Sequence, residues 1–340
     1  FLALCTQNLP DATVIPSENF NPVLYTGTGG TQSITGVGFQ PDFSWLKERT
    51  STSSNALFDV IRGATNYLKS NTTEVEGTEA TGFTAFDSDG FSLGNSGFVN
   101  EHLQTYVAWN WKAGGTAVSN SNGSITSQVS ANPSAGFSIV SWVGTNTTGS
   151  VGHSLSQIPE LIISKSRTVV GDWIVPTTVI DGSMDYSRLN TTNAFATYGV
   201  TATTSSIFYT AGGAGNRGDM IAYCFHSVDG HSRVGTYIGN GNADGPFVNC
   251  GFRPAYVMIK RTNSTSSWQI FDTDRDVTNV MSRQLKAEDS AAENNNTNQL
   301  IDFTSNGFKF RSTNGGYNGS ASSYIFLAFA ESPFKHSNAR

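Results

Sequence analysis

Charge is scarce in this chain. Asp, Glu, Lys and Arg make up 14% of its 340 residues and the formal net charge is −6, so it lacks the basic field that binding nucleic-acid phosphates requires. Long apolar runs are also missing. The strongest, "YIFLAFA" at 324–330, falls well short of the roughly 20 residues that cross a bilayer as a helix. Cysteine is confined to Cys5, Cys224 and Cys250, without CxxC spacing, which argues against a disulfide framework or a zinc site and for buried free thiols. The opening "FLALCTQNLPD" has neither a methionine nor a basic n-region. It does not read as a signal peptide, and residue 1 is expected not to be the biological start.

Catalytic signatures are absent as well: there is no GxSxG elbow, HExxH helix or Walker loop. The glycine-rich "AGGAGNRGDM" at 211–220 runs into a strand, so it reads as a hairpin loop and not as a phosphate cradle. Its RGD tripeptide, Arg217 to Asp219, reads as chance. His102, His153, His226, His231 and His336 lack metal spacing, apart from a loose His226 and His231 pair, and do not recur at equivalent places. Glycoside hydrolysis would need two acids about 5–10 Å apart. Of the acid clusters, Asp87 with Asp89 reads as a turn, and Asp272, Asp274 and Asp276 read as a strand end flanking Arg275. Glu74, Glu76 and Glu79 form the remaining cluster. The "DTDRD" run lacks the glycine and distal glutamate of an EF-hand. No catalytic, cofactor or metal site is expected, and the chain reads as a non-enzyme.

What is present is β chemistry, repeated. Gly, Ser, Thr and Asn are abundant, and 37% hydrophobic with 11% aromatic content is enough to build cores. The segment "GFQPDFSWLKERT" at 38–50 returns as "LSQIPELIISKSRT" at 155–168 and "GFRPAYVMIKRTN" at 251–263. In each copy a lysine follows a proline by six residues: Pro41 and Lys47, Pro159 and Lys165, Pro254 and Lys260. Upstream of each proline lies an aromatic-x-Gly step, at Tyr25 and Gly27, Trp142 and Gly144, Tyr237 and Gly239. Each copy closes on an apolar strand with alanine before an aromatic: Ala108 and Trp109, Ala222 and Tyr223, Ala328 and Phe329. The length variation falls in the loops between these landmarks, as insertions on a constant scaffold do.

The domain boundaries follow: 1–21 as an N-terminal linker, repeats at 22–115, 136–230 and 231–340, and a linker at 116–135 carrying one short strand at "SITSQV". Turn signals at "DSDG" (87–90), "TSNG" (304–307) and "GNGN" (239–242) predict hairpins. In "DFSWLK", Phe43, Trp45 and Lys47 share one face and Ser44 and Leu46 the other. Both faces are apolar in the other copies, which predicts a central strand covered on both sides. The fold expected is all-β, three tandem antiparallel β-sandwiches of jelly-roll or lectin-like form. The competing architecture is a single assembly whose three copies share a core about a pseudo-threefold axis.

The recurring lysines are read as rim residues, stem over the core and ammonium in water or on a carboxylate, with Asp59 and Asp272, each 12 residues on, as candidate partners. Thr177 replaces the acid in the middle copy. Trp45, Trp109, Trp111, Trp142, Trp173 and Trp268 are assigned to the core. Tyr186, Tyr198, Tyr209 and Tyr317 lie nearer loops and are the candidate ligand contacts.

Several phrases then carry a likeness: "FSWLKERT", "NALFDVIRGATNYLKSNTT", "FDSDGFSLG", "YVAWNWKAGG" and "NPSAGFSIVSWVG". In this order, over most of residues 1–230, they resemble a family of tailed-bacteriophage proteins, frequent in marine phages, of tail-fibre-like or lectin-like virion type. The resemblance implies a virion structural or host-recognition component at the particle surface, homotrimeric if a fibre, with other virion subunits and a host-surface glycan or protein as partners. It also implies an upstream SPRY or concanavalin-like domain, and it transfers no catalytic residues. The alternatives are a capsid decoration protein and a secreted glycan-binding or glycan-active protein.

Overall fold

The computed structural model describes residues 14–295, 298 and 300–331. Its first unit holds β1 (Phe20–Thr26), β2 (Gln32–Thr35), β3 (Phe43–Glu48), β4 (Ala56–Asp59), β5 (Asn66–Lys69), β6 (Gly77–Thr78), β7 (Phe83–Asp87), β8 (Gly90–Leu93) and β9 (Thr105–Trp111). The second holds β10 (Val118–Asn120), β11 (Ser127–Asn132), β12 (Phe137–Thr145), β13 (Gly149–Gly152), β14 (Leu161–Ser166), β15 (Ile174–Thr177), β16 (Asp185–Arg188), β17 (Ala196–Thr197), β18 (Ile207–Thr210) and β19 (Arg217–Phe225). The third holds β20 (Ser232–Ile238), β21 (Phe247–Asn249), β22 (Pro254–Arg261), β23 (Gln269–Asp272), β24 (Arg283–Lys286), β25 (Asn294–Asn295), β26 (Ile301–Thr304), β27 (Gly307–Phe310) and β28 (Ser323–Ala330).

The large sheets run β1-β9-β3-β4-β5-β6, then β12-β19-β14-β15-β16-β17 with β10 and β11 added at the β12 edge, then β20-β28-β22-β23-β24-β25. Small sheets β2-β8-β7, β13-β18 and β21-β27-β26 accompany them. The ladders are antiparallel, and the all-β, sandwich-like class read from composition and turn spacing is what the chain forms. The lysine strands β3, β14 and β22 sit inside their sheets, each flanked by the closing strand and the next strand, and are buried on both faces.

Alternation along these strands feeds two kinds of core. Leu46, Ile162 and Val257 face the small sheet of their own unit, in separate clusters. The opposite-facing Phe43 and Trp45, Leu161 and Ile163, and Tyr256 and Met258 all enter one cluster drawn from all three units. Rings stack there across unit boundaries: Phe43 on Tyr223 at 4.1 Å and Phe20 on Phe329 at 4.6 Å between centroids. Each large sheet thus faces a small one across a separate cluster, and on its other side enters a central core common to all three.

Three boundary expectations change. Segment 116–135, read as a linker, carries β10 and β11, which extend the second large sheet. An edge strand left open at β12 would expose a full row of backbone donors and acceptors. "GNGN" at 239–242 is a corner and not a hairpin: β20 pairs with β28 while β21 pairs with β27, so the chain changes sheets there. "DSDG" and "TSNG" do join hairpins, β7 to β8 and β26 to β27. Within 1–21, Val14 and Phe20 are buried and β1 begins at Phe20; the rest of that expectation, with Cys5, and also His336, lies outside the described residues. Cys224 and Cys250 are buried free thiols, pushed up to about 12 by burial. No helix among the described residues is long and apolar enough to cross a membrane.

Candidate functional site

The repeated residues meet at the seams between units. Lys47 Nζ donates to the carbonyl of Ser290 at 3.3 Å, Lys165 Nζ to that of Thr73 at 3.3 Å and Lys260 Nζ to that of Thr192 at 2.9 Å. The first unit's lysine thus enters the third unit, the second's enters the first, and the third's enters the second, so the contacts close head to tail into a ring of three. Each accepting carbonyl also takes a backbone N–H from six residues beyond the lysine, Ser53, Gly171 or Ser266. The lysines are not rim residues. All three are at most 1% exposed, and burial pulls each ammonium down to about 8. The proposed acid partners pair elsewhere: Asp59 with Arg62 at 2.5 Å and Asp272 with Arg275 at 2.6 Å, all four side chains buried. Pro41, Pro159 and Pro254 are buried at or just before the strand start, where no ladder N–H is needed.

Three further contacts recur. Eight residues after the lysine, the indole N–H of Trp173 donates to Lys69 O at 2.8 Å and that of Trp268 to Arg188 O at 2.9 Å. The first unit has Asn55 there; it relays from Trp45 Nε1, 2.9 Å away, to Lys286 O. Two residues after the lysine, Arg49 and Arg167 hold Glu293 and Glu76 through paired bonds of 2.8–3.0 Å, and Arg275 and Arg62 approach the same carboxylates at 3.2 and 3.3 Å. Burial works against the Glu293 carboxylate, yet Arg49 and Arg275 hold it below its ordinary range. At the remaining seam Thr262 and Phe195 take these places, keep the backbone bond and pack the Phe195 ring against Trp268. Finally, Tyr223 Oη donates to Asp59 at 2.8 Å and Trp109 Nε1 to Asp272 at 2.9 Å.

The aromatic-x-Gly step docks a loop through a buried asparagine that the sequence reading missed. Asn100, Asn216 and Asn318 are fully buried; the amides of Asn100 and Asn318 each donate to two backbone carbonyls, and that of Asn216 to Thr147 O and the Thr145 hydroxyl. Tyr25 and Tyr237 reach the carbonyl just before the asparagine, and Trp142 reaches Asn216 itself. A Cβ on Gly27, Gly144 or Gly239 would lie 2.1–2.5 Å from this loop's backbone, hence glycine. The spacing from asparagine to the closing alanine differs among copies, which hides it from a search at fixed period.

The candidate contact tyrosines separate. Tyr186 and Tyr198 are half-buried neighbours, centroids 5.1 Å apart, with the Arg188 guanidinium 5.5 Å from the Tyr186 ring and tied to Asp172 at 2.7 Å. Tyr209 lies in the small sheet opposite Ser150. Tyr317 is fully buried in the third unit's own core, its hydroxyl on Asn298 O at 2.8 Å, so its ring has no face left for a ligand. All six tryptophans are in the core, as assigned. Two seams leave hollows: one of about 490 Å³ between the first and second units, beside Val60, Ile61 and Arg167, and one of about 260 Å³ between the third and first, beside Asp274 and Glu331. Among the described residues no group of three or more His, Cys, Asp or Glu is placed to hold a metal.

No curated protein and no solved structure matches the chain. A family model matches residues 15–333, nearly the whole of it and all three units. The chain belongs to the family described as Domain of unknown function (DUF7483).

Proposed function

We propose that this protein is a non-enzymatic structural component of a phage particle, a tail fibre or fibre-like appendage that meets the host surface. The observation that carries the reading is where the repeated polar chemistry goes. The recurring lysines, tryptophans and the Arg–Glu–Arg groups are spent on unit-to-unit contacts, which is the use expected of a scaffold. The differences in length fall in the loops between the repeated strands, where binding surfaces vary at little cost to the fold. The likeness of the quoted motifs to tail-fibre-like virion proteins points the same way. As a fibre the chain would assemble as a homotrimer.

A capsid decoration role is the second reading, favoured by the ring itself, since one chain whose three related units close head to tail can sit on a threefold axis of a shell. Gold-labelled antibody against the chain, imaged on purified particles, separates them: label on the tail is expected, label on the head selects decoration, and no particle-bound label overturns both. Purified chain added to host cells should also slow phage adsorption if the appendage reading holds.

A further inference from the structure

We propose that the hollow at the seam of the first and second units is a binding site for a neutral sugar unit of a surface glycan; this rests on the host-recognition reading above. The hollow is lined by Gln40, Val60, Ile61, Gln128, Ser141 and Arg167 among others, and its volume of about 490 Å³ suits a small ligand. It exists because of a departure from the repeat. Gln128 lies on β11, which has no counterpart in the other two large sheets, and Ser141 lies opposite it on β12. The added strands wall off a space over the dipeptide that follows the buried Asp59.

The chemistry of the walls selects the ligand. Val60 and Ile61 supply an apolar floor for the C–H face of a pyranose. Among the described residues Gln128 and Ser141 have no side-chain hydrogen-bond partner and Gln40 has a 3.5 Å contact to Asp42, so amides and a hydroxyl remain to exchange bonds with sugar hydroxyls. The one cation, Arg167, is held by both oxygens of Glu76, which cancels its charge toward an anion. A uronate or phosphate would therefore enter without a free counter-charge. The related hollow between the third and first units carries Asp274 where this one has Ile61, and Glu331 beside it. Its acidic lining sets it apart from the neutral one.

The test uses the full chain on an array of bacterial polysaccharide fragments, neutral hexose and N-acetylhexosamine oligomers in one set and uronate- or phosphate-bearing ones in another, with hits titrated by calorimetry. Neutral fragments should bind. Gln128→Ala should weaken them about tenfold, and Ser141→Trp, which fills the hollow, should abolish binding while melting close to the parent. If Ser141→Trp does not fold, the Gln40→Ala, Gln128→Ala double variant replaces it and should reduce binding further than either single change. Binding of anionic fragments alone, no binding at all, or neutral binding unchanged in these variants overturns the site. Should the parent and the hollow-filled variant slow phage adsorption equally, the appendage reading stands and this site falls; absence from the particle removes the appendage reading whatever the array shows.

Discussion

Asp59 and Asp272 sit where Thr177 stands in the middle unit, and the residue facing each from the next unit changes in step. Tyr223 and Trp109 bring donors to the two carboxylates, whereas the corresponding closing-strand residue in the third unit is Phe329, which has none to bring. A buried carboxylate without donors is costly, and so is a buried hydroxyl without an acceptor, so the acid and its partner are gained or lost together. Thr177 in the sequence shows that a Lys to Asp pair is not required by the fold, but not that the acid answers to an aromatic in another unit. Asp274 is a different case. Burial, then the nearby Asp272 and Glu331, push its carboxyl up to about 7. The folded state therefore holds a proton that the unfolded chain releases near pH 4, and this contribution to stability, full at low pH, is lost as pH rises through about 7. Asp274→Asn should raise stability at pH 8 by roughly 1–3 kcal/mol and flatten that fall, as read by urea unfolding at stepped pH; an unchanged slope would show that Asp274 does not hold the proton.

At the level of elements, the lysine strand shows how far local pattern reaches. Period-two alternation placed Phe43, Trp45 and Lys47 on one face and marked β3, β14 and β22 as interior strands, because burial on a strand alternates whatever lies beyond it. It could not identify the acceptor, since Ser290 is 243 positions from Lys47. The ammonium groups fall from 10.5 to about 8 because burial disfavours their charge. Between those values the unfolded chain carries protons that the folded one does not, so these lysines make stability rise with pH from about 8 towards 10. Changing all three to methionine should remove that rise. At pH 7 the loss should be small, since each accepting carbonyl keeps its backbone N–H and replacing buried charge by a similar apolar chain is often neutral or stabilising. A triple variant that unfolds at pH 7, or keeps the alkaline rise, contradicts this account. The added pair β10 and β11 was only half legible: "SITSQV" has strand chemistry, but its polar, uncharged flanks resemble a linker until the open edge of β12 gives them a partner.

Across the whole molecule, the central cluster makes the three units depend on one another. Phe137, Ile163 and Tyr223 of the second unit pack into a core whose other sides come from the first and third, so an excised unit would expose that entire face. Scanning calorimetry of the full chain should show a single transition, and residues 113–230 expressed alone should aggregate or remain unfolded; three separable transitions, or a folded isolated unit, would mean that the shared core adds little. Taken alone, the sequence determined the class of fold, the recurrence of the lysine strands, their interior place in the sheets and the core tryptophans. These follow from side-chain alternation, turn residues and repeated spacing, all carried within stretches of about a hundred residues. Only the tertiary structure decided that the units close into a ring, that the lysines clasp backbone carbonyls instead of reaching water, that Tyr317 is sealed in a core, and that a neutral hollow opens at one seam. Each of these depends on which surface of one unit meets which surface of the next. That choice is made by shape and by the cost of burying polar groups across distances that no local pattern in the chain records.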